Sequence, residues 1–254
     1  MALHRESSGI DTPDGAGHGV IGGILAYLRD RRLQPGDRLP SERDLAERLG
    51  VGRNGVREAL ATLVALRMVE SRPNSGIYLR HVERESSFEA LVMLTDMGAT
   101  PTPTEVAETM EVRAHLEVLA AGLACQRRTE ADLARMDTVL HRTEQTLAQG
   151  GNIATSDTDF HIALVDATHN SVLVRVLNAF YRFTDRRRQA MFEDMTQGAA
   201  SLADHRRLLT LVRDRDAAEA RQLILRHMDR ARSYWSTVLG DSVPPSFETQ
   251  GDPR

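Results

Sequence analysis

The 254-residue sequence has little of several features that mark other classes of protein. Its single cysteine, Cys125, excludes an internal disulfide and favours a reducing cytosol. No apolar run approaches the ~20 residues that span a bilayer, and the N-terminus lacks a signal-peptide core, so we expect a cytoplasmic protein without a membrane partner. Aromatic residues make up only 4% of the chain, whereas alanine, leucine and arginine abound, which favours helices over sheets.

Lysine is absent, and all 32 basic residues are arginine. Basic contacts with phosphates or carboxylates must therefore come from arginine, which binds either group in bidentate fashion, or from histidine. The net charge of −4 is unevenly distributed, because residues 20–80 hold eleven arginines and seven acidic residues, which leaves −8 for the rest. This asymmetry predicts one basic module joined to one acidic module.

The segment Leu39–Glu58 is typical of a helix-turn-helix. Ser41 precedes a short apolar stripe and has Asp44 three residues later, which is a helix-capping pattern. Gly50 ends this helix, and a second helix begins near Arg53. Proteins that place side chains in the DNA major groove use this arrangement of two short helices.

The second helix has two unlike sides. At ~100° per residue, Arg57 lies about 40° and Asn54 about 100° from Arg53, whereas the apolar residues of Val56–Leu66 cluster at about 220–340°. Arginine and asparagine at a helix N-terminus suit phosphate contacts and bidentate reading of guanine or adenine edges. A surface helix with solvated arginines is an equal alternative for the helix taken alone.

Two short extended runs within Val69–Leu79 flank a turn at Asn74–Gly76, which predicts a β-hairpin. As a wing beside the helices, its tip would reach the minor groove or the DNA backbone, with Arg72 as a phosphate contact. An ordinary surface hairpin is an equal alternative on this sequence alone.

Together these motifs resemble the winged helix-turn-helix of the GntR family of bacterial repressors. The matching residues are Pro35–Arg43, Leu45-Ala46, Gly50-Val51, Arg53, Val56–Leu60 and Gly76. Gly52 departs from the family pattern, which has a serine or threonine that caps the helix and touches phosphate, and Asn74 replaces the first wing glycine. The resemblance and the helix face together assign DNA contacts to Arg43, Arg53, Asn54, Arg57, Arg72, Asn74, Ser75 and Gly76.

From Glu85 to Leu239 the pattern predicts helices throughout and no strand. The predicted fold class is mainly α: an N-terminal winged helix-turn-helix and a C-terminal antiparallel bundle of six or seven helices. We expect a disordered tail at residues 1–18, a DNA-binding domain at 19–81, a metal- and effector-binding helical domain at 82–239 and a second tail at 240–254. The predicted helices are Ser86–Met97, Thr104–Arg127, Glu130–Gln149, Ile153–Thr168, Ser171–Met195, Ala199–Arg213 and Ala217–Leu239.

Four residues of the helical region can converge on one point. Asp157 and His161 are four residues apart on one predicted helix and share a face. His205 and His227 flank a turn at residues 214–216, so an antiparallel helix pair brings them to the same height. Three imidazoles and a carboxylate suit zinc, nickel, manganese or a similar divalent ion. With nine histidines in the chain, spacing alone favours unrelated surface or core histidines.

The helical region also resembles the effector domain (FCD) of the FadR-type branch of the GntR family. The resemblance implies that the aspartate and the three histidines bind the metal, for which zinc is the first candidate. It also implies that Arg113 binds the carboxylate of a small effector near the metal. An intrahelical pair with Glu117 is the alternative for Arg113. Ser201 is a further effector-pocket candidate, and Arg186–Arg188 is expected on a solvated or dimer-facing surface. The matching motifs are Glu111-Val112-Arg113 with Glu117, Asp157-x-x-Phe160-His161, Asn170, His205-Arg206 and His227.

The predicted function is a DNA-binding transcriptional regulator, a repressor rather than an enzyme. A homodimer would read an inverted repeat in double-stranded operator DNA, and a small organic acid at the divalent metal would set its operator affinity. Two alternatives stay open. One is a metal-dependent hydrolase with a DNA-binding head, because such a site can activate water. The other is a regulator whose metal is purely structural.

Overall fold

The computed structural model describes residues 13–99 and 101–239. The described residues fall into two compact units, 13–99 and 101–239, whereas the sequence placed the boundary after residue 81. No helix in the described ranges is both long and apolar enough to span a membrane. Residues 1–12 of the predicted N-terminal tail, and the whole predicted tail from residue 240, lie outside the described residues.

The N-terminal unit contains a helix-turn-helix followed by a two-stranded antiparallel sheet. Its first helix begins at Pro13, so the disordered tail predicted at residues 1–18 overlaps this helix from residue 13 onward. The elements are α1 (Pro13–Asp30), α2 (Glu42–Leu49), α3 (Arg53–Ala65), β1 (Val69–Arg72), β2 (Gly76–Leu79), α4 (Val82–Glu85) and α5 (Phe88–Asp96).

Local signals determine the turn between α2 and α3. The Ser41 side chain accepts a hydrogen bond from the Asp44 backbone N–H at 3.2 Å, which confirms the predicted cap. Gly50 has a left-handed backbone with φ 66°, a conformation that costs glycine little, and it ends α2. Gly52 precedes α3 without a side-chain cap, as its lack of a side chain requires.

The apolar faces of these helices form one core. Ile24 of α1, Leu45 of α2 and Leu63 of α3 are fully buried within it. Ala90 of α5 joins the same core, although the sequence placed this helix in the second domain. The amphipathic pattern of a helix predicts that one face is buried, but it does not identify the element that packs against that face.

The C-terminal unit is all-helical in the residues described, with α6 (Pro103–Arg127) packed along α12 (Ala217–Leu239). Reciprocal capping boxes begin α6 at Thr102 and α7 at Thr129. The predicted fold class, a winged helix-turn-helix and a helical bundle, is confirmed. The other helices are α7 (Glu130–Ala148), α8 (Ala154–Asp166), α9 (Ser171–Phe183), α10 (Asp185–Met191) and α11 (Met195–Asp214).

The structure divides the helix that the sequence predicted over Ser171–Met195. It breaks at Thr184, which ends α9 and precedes α10. The Thr184 hydroxyl donates to the carbonyl of Phe180 at 2.9 Å, and Asp185 occupies the first turn of α10. Because the helix breaks here, the side chains of α10 point in directions that one continuous helix would not give them.

Candidate metal centre and nucleic-acid interface

Three helices of the C-terminal unit bring four potential metal ligands together. Asp157 and His161 lie one turn apart on α8, His205 lies on α11 and His227 on α12. One ligand atom from each residue lies within 4.8 Å of the others, and all four side chains are buried. An ion about 2.1 Å from each ligand keeps ligand atoms within about 4 Å of one another, so a small contraction suffices.

Two carboxylates orient two of the imidazoles. The Nδ1 of His161 lies 2.8 Å from Glu117 Oε2, and the Nδ1 of His227 lies 3.1 Å from Asp204 Oδ2. A carboxylate only accepts, so the Nδ1 of His161 carries and donates the proton, and its Nε2 keeps the lone pair that a metal requires. The Nδ1 of His227 lies near Asp204 and also 3.2 Å from the Nη2 of Arg230. Carboxylate–histidine pairs of this kind are usual behind metal ligands.

The imidazoles also have nitrogen atoms without partners. His161 Nε2 and both ring nitrogens of His205 are buried and form no hydrogen bond within the described residues. Burial lowers the pKa of His205 and His227 below the ordinary histidine value, so both rings favour the neutral form that binds metals. An unsatisfied buried polar atom costs ~1–3 kcal/mol, so a divalent ion fits this site.

Asp157 is the anionic member of the cluster. Its Oδ1 accepts a hydrogen bond from the Ser201 hydroxyl at 2.7 Å, and its Oδ2 lies 3.2 Å from the Nε of Arg188. Burial opposes ionisation, but the buried Arg188 guanidinium favours it, and the pKa of Asp157 lies well below its usual value. The carboxylate is therefore charged and fixed in position before any ligand arrives.

Arg113 forms the intrahelical pair with Glu117 that was the alternative interpretation, and it also lines the candidate cavity beside the four potential ligands. Its Nε lies 3.0 Å from the Oε1 of Glu117, one turn later on the helix. Tyr181 donates to the same carboxylate at 3.2 Å, and its ring centroid lies 5.0 Å from the Arg113 guanidinium carbon. Glu117 thus contacts both the candidate anion-binding arginine and His161.

The cavity in front of this cluster is small, about 40 Å³. Its lining combines charged or polar side chains with apolar side chains from α6, α10 and α12. The apolar lining includes Met110, Met191, Met228 and Trp235. A site with a few convergent polar groups and an apolar wall is typical of a small-ligand pocket.

In the N-terminal unit, α3 exposes the side that the helical wheel assigned to DNA. Arg53, Asn54 and Arg57 are exposed, whereas Val56 is fully buried on the opposite side. The Nη2 of Arg57 lies 2.9 Å from the Glu42 carboxylate, which holds the guanidinium along the start of both helices. The arrangement presents two arginines and an amide at one exposed helix terminus.

The remaining candidate DNA contacts lie on α2 and on the hairpin. Arg43 is 72% exposed. The Arg72 guanidinium lies over the Tyr78 ring at 4.1 Å, and its Nε also donates to Glu70 at 2.6 Å. Positive φ values of 56° at Asn74 and 126° at Gly76 form the turn, so Asn74 adopts a backbone conformation that favours glycine. Ser75 hydrogen-bonds Tyr78 at 2.5 Å.

Comparisons with known proteins agree with this architecture. Residues 18–79 match the family described as bacterial regulatory proteins, gntR family, and residues 108–230 match the FCD domain. The HTH-type transcriptional regulator LutR of Bacillus subtilis (strain 168) is 30% identical over 221 residues, which cover 85% of this chain and 99% of that protein.

The chain belongs to the GntR family of bacterial transcriptional regulators.

Two further comparisons are consistent with this assignment. A putative L-lactate dehydrogenase operon regulatory protein of Escherichia coli (strain K12) is 29% identical over 81% of this chain and 80% of its own length. The solved structure described as Lar, which controls the expression of the Listeria monocytogenes agr system, shares the fold. It has a TM-score of 0.61 at 19% identity and covers 89% of this chain and 97% of that one. These relatives are regulators, and this GntR protein is a transcriptional regulator, not an enzyme.

Two residues of the GntR regulator's helical unit have roles that sequence reasoning missed. Arg188 was expected on a solvated or dimer-facing surface, but it is 5% exposed and contacts Asp157. Glu117 was considered only as a partner of Arg113, but it also fixes His161. A threonine followed by aspartate is a helix-start signal, so Thr184-Asp185 could have revealed the break that turns Arg188 inward.

Proposed function

We propose that this GntR regulator is a repressor whose operator affinity is controlled by a small organic acid bound at a divalent metal. One observation carries the proposal: Asp157 and three buried imidazoles converge within 4.8 Å, with unpartnered nitrogen atoms aimed into the cluster. Zinc is the first candidate because histidine and carboxylate ligands suit it, while nickel and manganese accept the same set.

The bound ion would supply positive charge and open coordination positions for a carboxylate. Arg113 faces the same cavity, so it would hold a carboxylate oxygen that points away from the four ligands. Ser201, through its hydrogen bond to Asp157, would keep that ligand in place. The E. coli relative's description names an L-lactate dehydrogenase operon, which makes L-lactate the first acid to test.

On the DNA side, Arg53, Asn54 and Arg57 would enter the major groove, with Arg43 on the phosphate backbone and the wing tip beside it. The exposed arginines support this assignment. Such regulators act on operator DNA in the cytosol, and the wing residues Arg72, Asn74, Ser75 and Gly76 complete the proposed contact set.

A homodimer would place two such helices on an inverted repeat. Apolar side chains are exposed on α6 and α9, which supports a dimer in which a second copy of the chain covers them. Leu119 is 49% exposed on α6 and Val172 is 64% exposed on α9, and burying them would stabilise the dimer.

The test is operator affinity, measured by fluorescence anisotropy for metal-free and metal-loaded protein. L-lactate and short mono- and dicarboxylic acids are added to each form. We expect at least one acid to weaken operator binding by the metal-loaded protein and none to do so without metal. His205→Ala should abolish the response, and His141→Ala, which changes an exposed histidine of α7, should retain it.

Two results separate this function from its alternative. If chelation lowers the melting temperature but acids bind equally with and without metal, the metal is structural only. If no acid changes operator affinity in either form, the proposed control by an acid is wrong.

A further inference from the structure

The three consecutive arginines of α10 occupy three different environments. Arg186 is exposed, Arg188 is buried and Arg187 is half-buried. Arg187 and Arg188 both line the cavity beside the four potential metal ligands. Their hydrogen bonds assign them different tasks.

Arg188 has a partner for each of its guanidinium nitrogens. Its Nε lies 3.2 Å from Asp157, Nη1 donates to the Thr158 hydroxyl at 2.7 Å, and Nη2 donates to the Thr184 hydroxyl at 3.1 Å. With these contacts made, Arg188 positions Asp157 and has little capacity left for a bound ligand.

Arg187 differs, because its Nη2 is buried and has no hydrogen-bond partner within the described residues. Its guanidinium lies 4.8 Å from the centroid of the Phe183 ring, which holds the side chain against the cavity wall. Burial lowers the pKa of Arg187, and the charge of Glu105 opposes this shift only in part. A buried donor at the edge of a cavity is a ready contact for an anion.

The charges around the cavity also favour a bound anion. Three of its four arginines have a carboxylate partner: Arg113 with Glu117, Arg188 with Asp157, and Arg230 with Asp204. Arg187 forms no ion pair among the described residues, although the charge of Glu105 acts on it from a greater distance, and a divalent ion would add two more positive charges. A single carboxylate would leave most of that positive charge, whereas a dianion would neutralise more of it.

We propose that Arg187 selects effectors with two acidic groups, so that the ligand class is a short dicarboxylic acid. This inference rests on the proposed metal and acid site. One carboxylate would lie at the metal and Arg113, and the second would bind Arg187. The cavity is small, about 40 Å³, so the carbon chain between the acids is short.

The experiment compares diacids with their own monoamides, which match them in size but lack one charge. Isothermal titration calorimetry measures binding to the full-length, metal-loaded protein for oxalate and oxamate, malonate and malonamate, and succinate and succinamate. At least one diacid should bind about tenfold or more tightly than its monoamide, since a charge-assisted contact is lost. Arg187→Gln should reduce that ratio to near one, whereas Arg186→Gln should preserve it.

Three outcomes would contradict the proposal. If each monoamide binds as tightly as its diacid, one acidic group suffices, and the metal and acid site stands without the second contact. The same holds if Arg187→Gln leaves the ratio unchanged. If no acid or amide binds the metal-loaded protein, the proposed function fails together with this inference.

Discussion

Replacing Glu117 with glutamine removes the charge that connects Arg113 to His161 while it preserves the side-chain shape. The carboxylate uses both oxygens: Oε2 accepts from His161 Nδ1 at 2.8 Å, and Oε1 accepts from Arg113 and Tyr181. A glutamine side chain has one acceptor oxygen and one NH₂ group. In either orientation, therefore, its NH₂ faces a donor, either the imidazole N–H or the guanidinium.

The structure sets the size of the effect. Glu117 is fully buried and Arg113 is 5% exposed, so the variant leaves a buried guanidinium without its counter-ion. Breaking a buried ion pair costs ~3–5 kcal/mol, and the remaining amide oxygen places this variant near the lower end. Loss of a carboxylate behind a metal-binding histidine typically costs ~10–100-fold in metal affinity.

Two measurements check this prediction. Urea unfolding of the metal-free protein should show a lower free energy of unfolding, and a competitive zinc titration should show weaker binding. Glu108→Gln, an exposed change on the same helix, is the matched control and should alter neither quantity. If Glu117→Gln binds zinc as tightly as the wild type, Glu117 does not orient a metal ligand, and the reasoning about this cluster is refuted.

Three further predictions address other parts of the molecule. Arg53→Ala and Arg57→Ala should each cost ~1–3 kcal/mol of specific operator affinity, measured by fluorescence anisotropy, with unchanged melting temperature. His205→Ala should lower both zinc stoichiometry, measured by mass spectrometry under native conditions, and thermal stability in the presence of zinc. Cys125 should resist alkylation by iodoacetamide at pH 8, because burial raises its pKa to about 11 and the thiolate is scarce.

Each of these predictions has a control and a contrary result. Arg29 lies outside the proposed recognition helix, so Arg29→Ala should leave operator affinity near that of the wild type. If Arg53→Ala or Arg57→Ala binds the operator normally, the DNA-binding face is misassigned. Unchanged zinc stoichiometry in His205→Ala would remove that residue from the ligand set. Rapid alkylation of the folded protein, compared with its urea-unfolded form, would contradict the burial of Cys125.

The parts of the fold that the sequence predicted well depend on local chemistry. Ser41 and Gly50 mark the two ends of α2 through contacts within one turn of the helix. The hairpin turn at Asn74 likewise depends on local backbone conformation. His205 and His227 approach each other because a short turn joins two antiparallel helices, a relation readable from spacing. Their ring centroids lie 5.0 Å apart.

The parts that the sequence did not predict depend on contacts between distant residues. The inward position of Arg188 requires Asp157 and Thr158, which are about thirty residues away in sequence and meet it only in the folded bundle. Three adjacent arginines cannot share a helix face, but the sequence does not say which of them a buried carboxylate will neutralise. Likewise, α5 is amphipathic, and only tertiary contacts assign Ala90 to the N-terminal core.

The reciprocal effect of operator DNA on acid binding tests the central claim most directly. If an acid weakens operator binding, operator DNA must weaken acid binding by the same factor, because one coupling free energy links both sites. Acid affinity should therefore be measured by calorimetry on metal-loaded protein, alone and saturated with operator. We predict a lower affinity in the complex, by the same factor as the acid-induced loss of operator affinity. Identical acid affinities in the two titrations would contradict the proposed control of DNA binding.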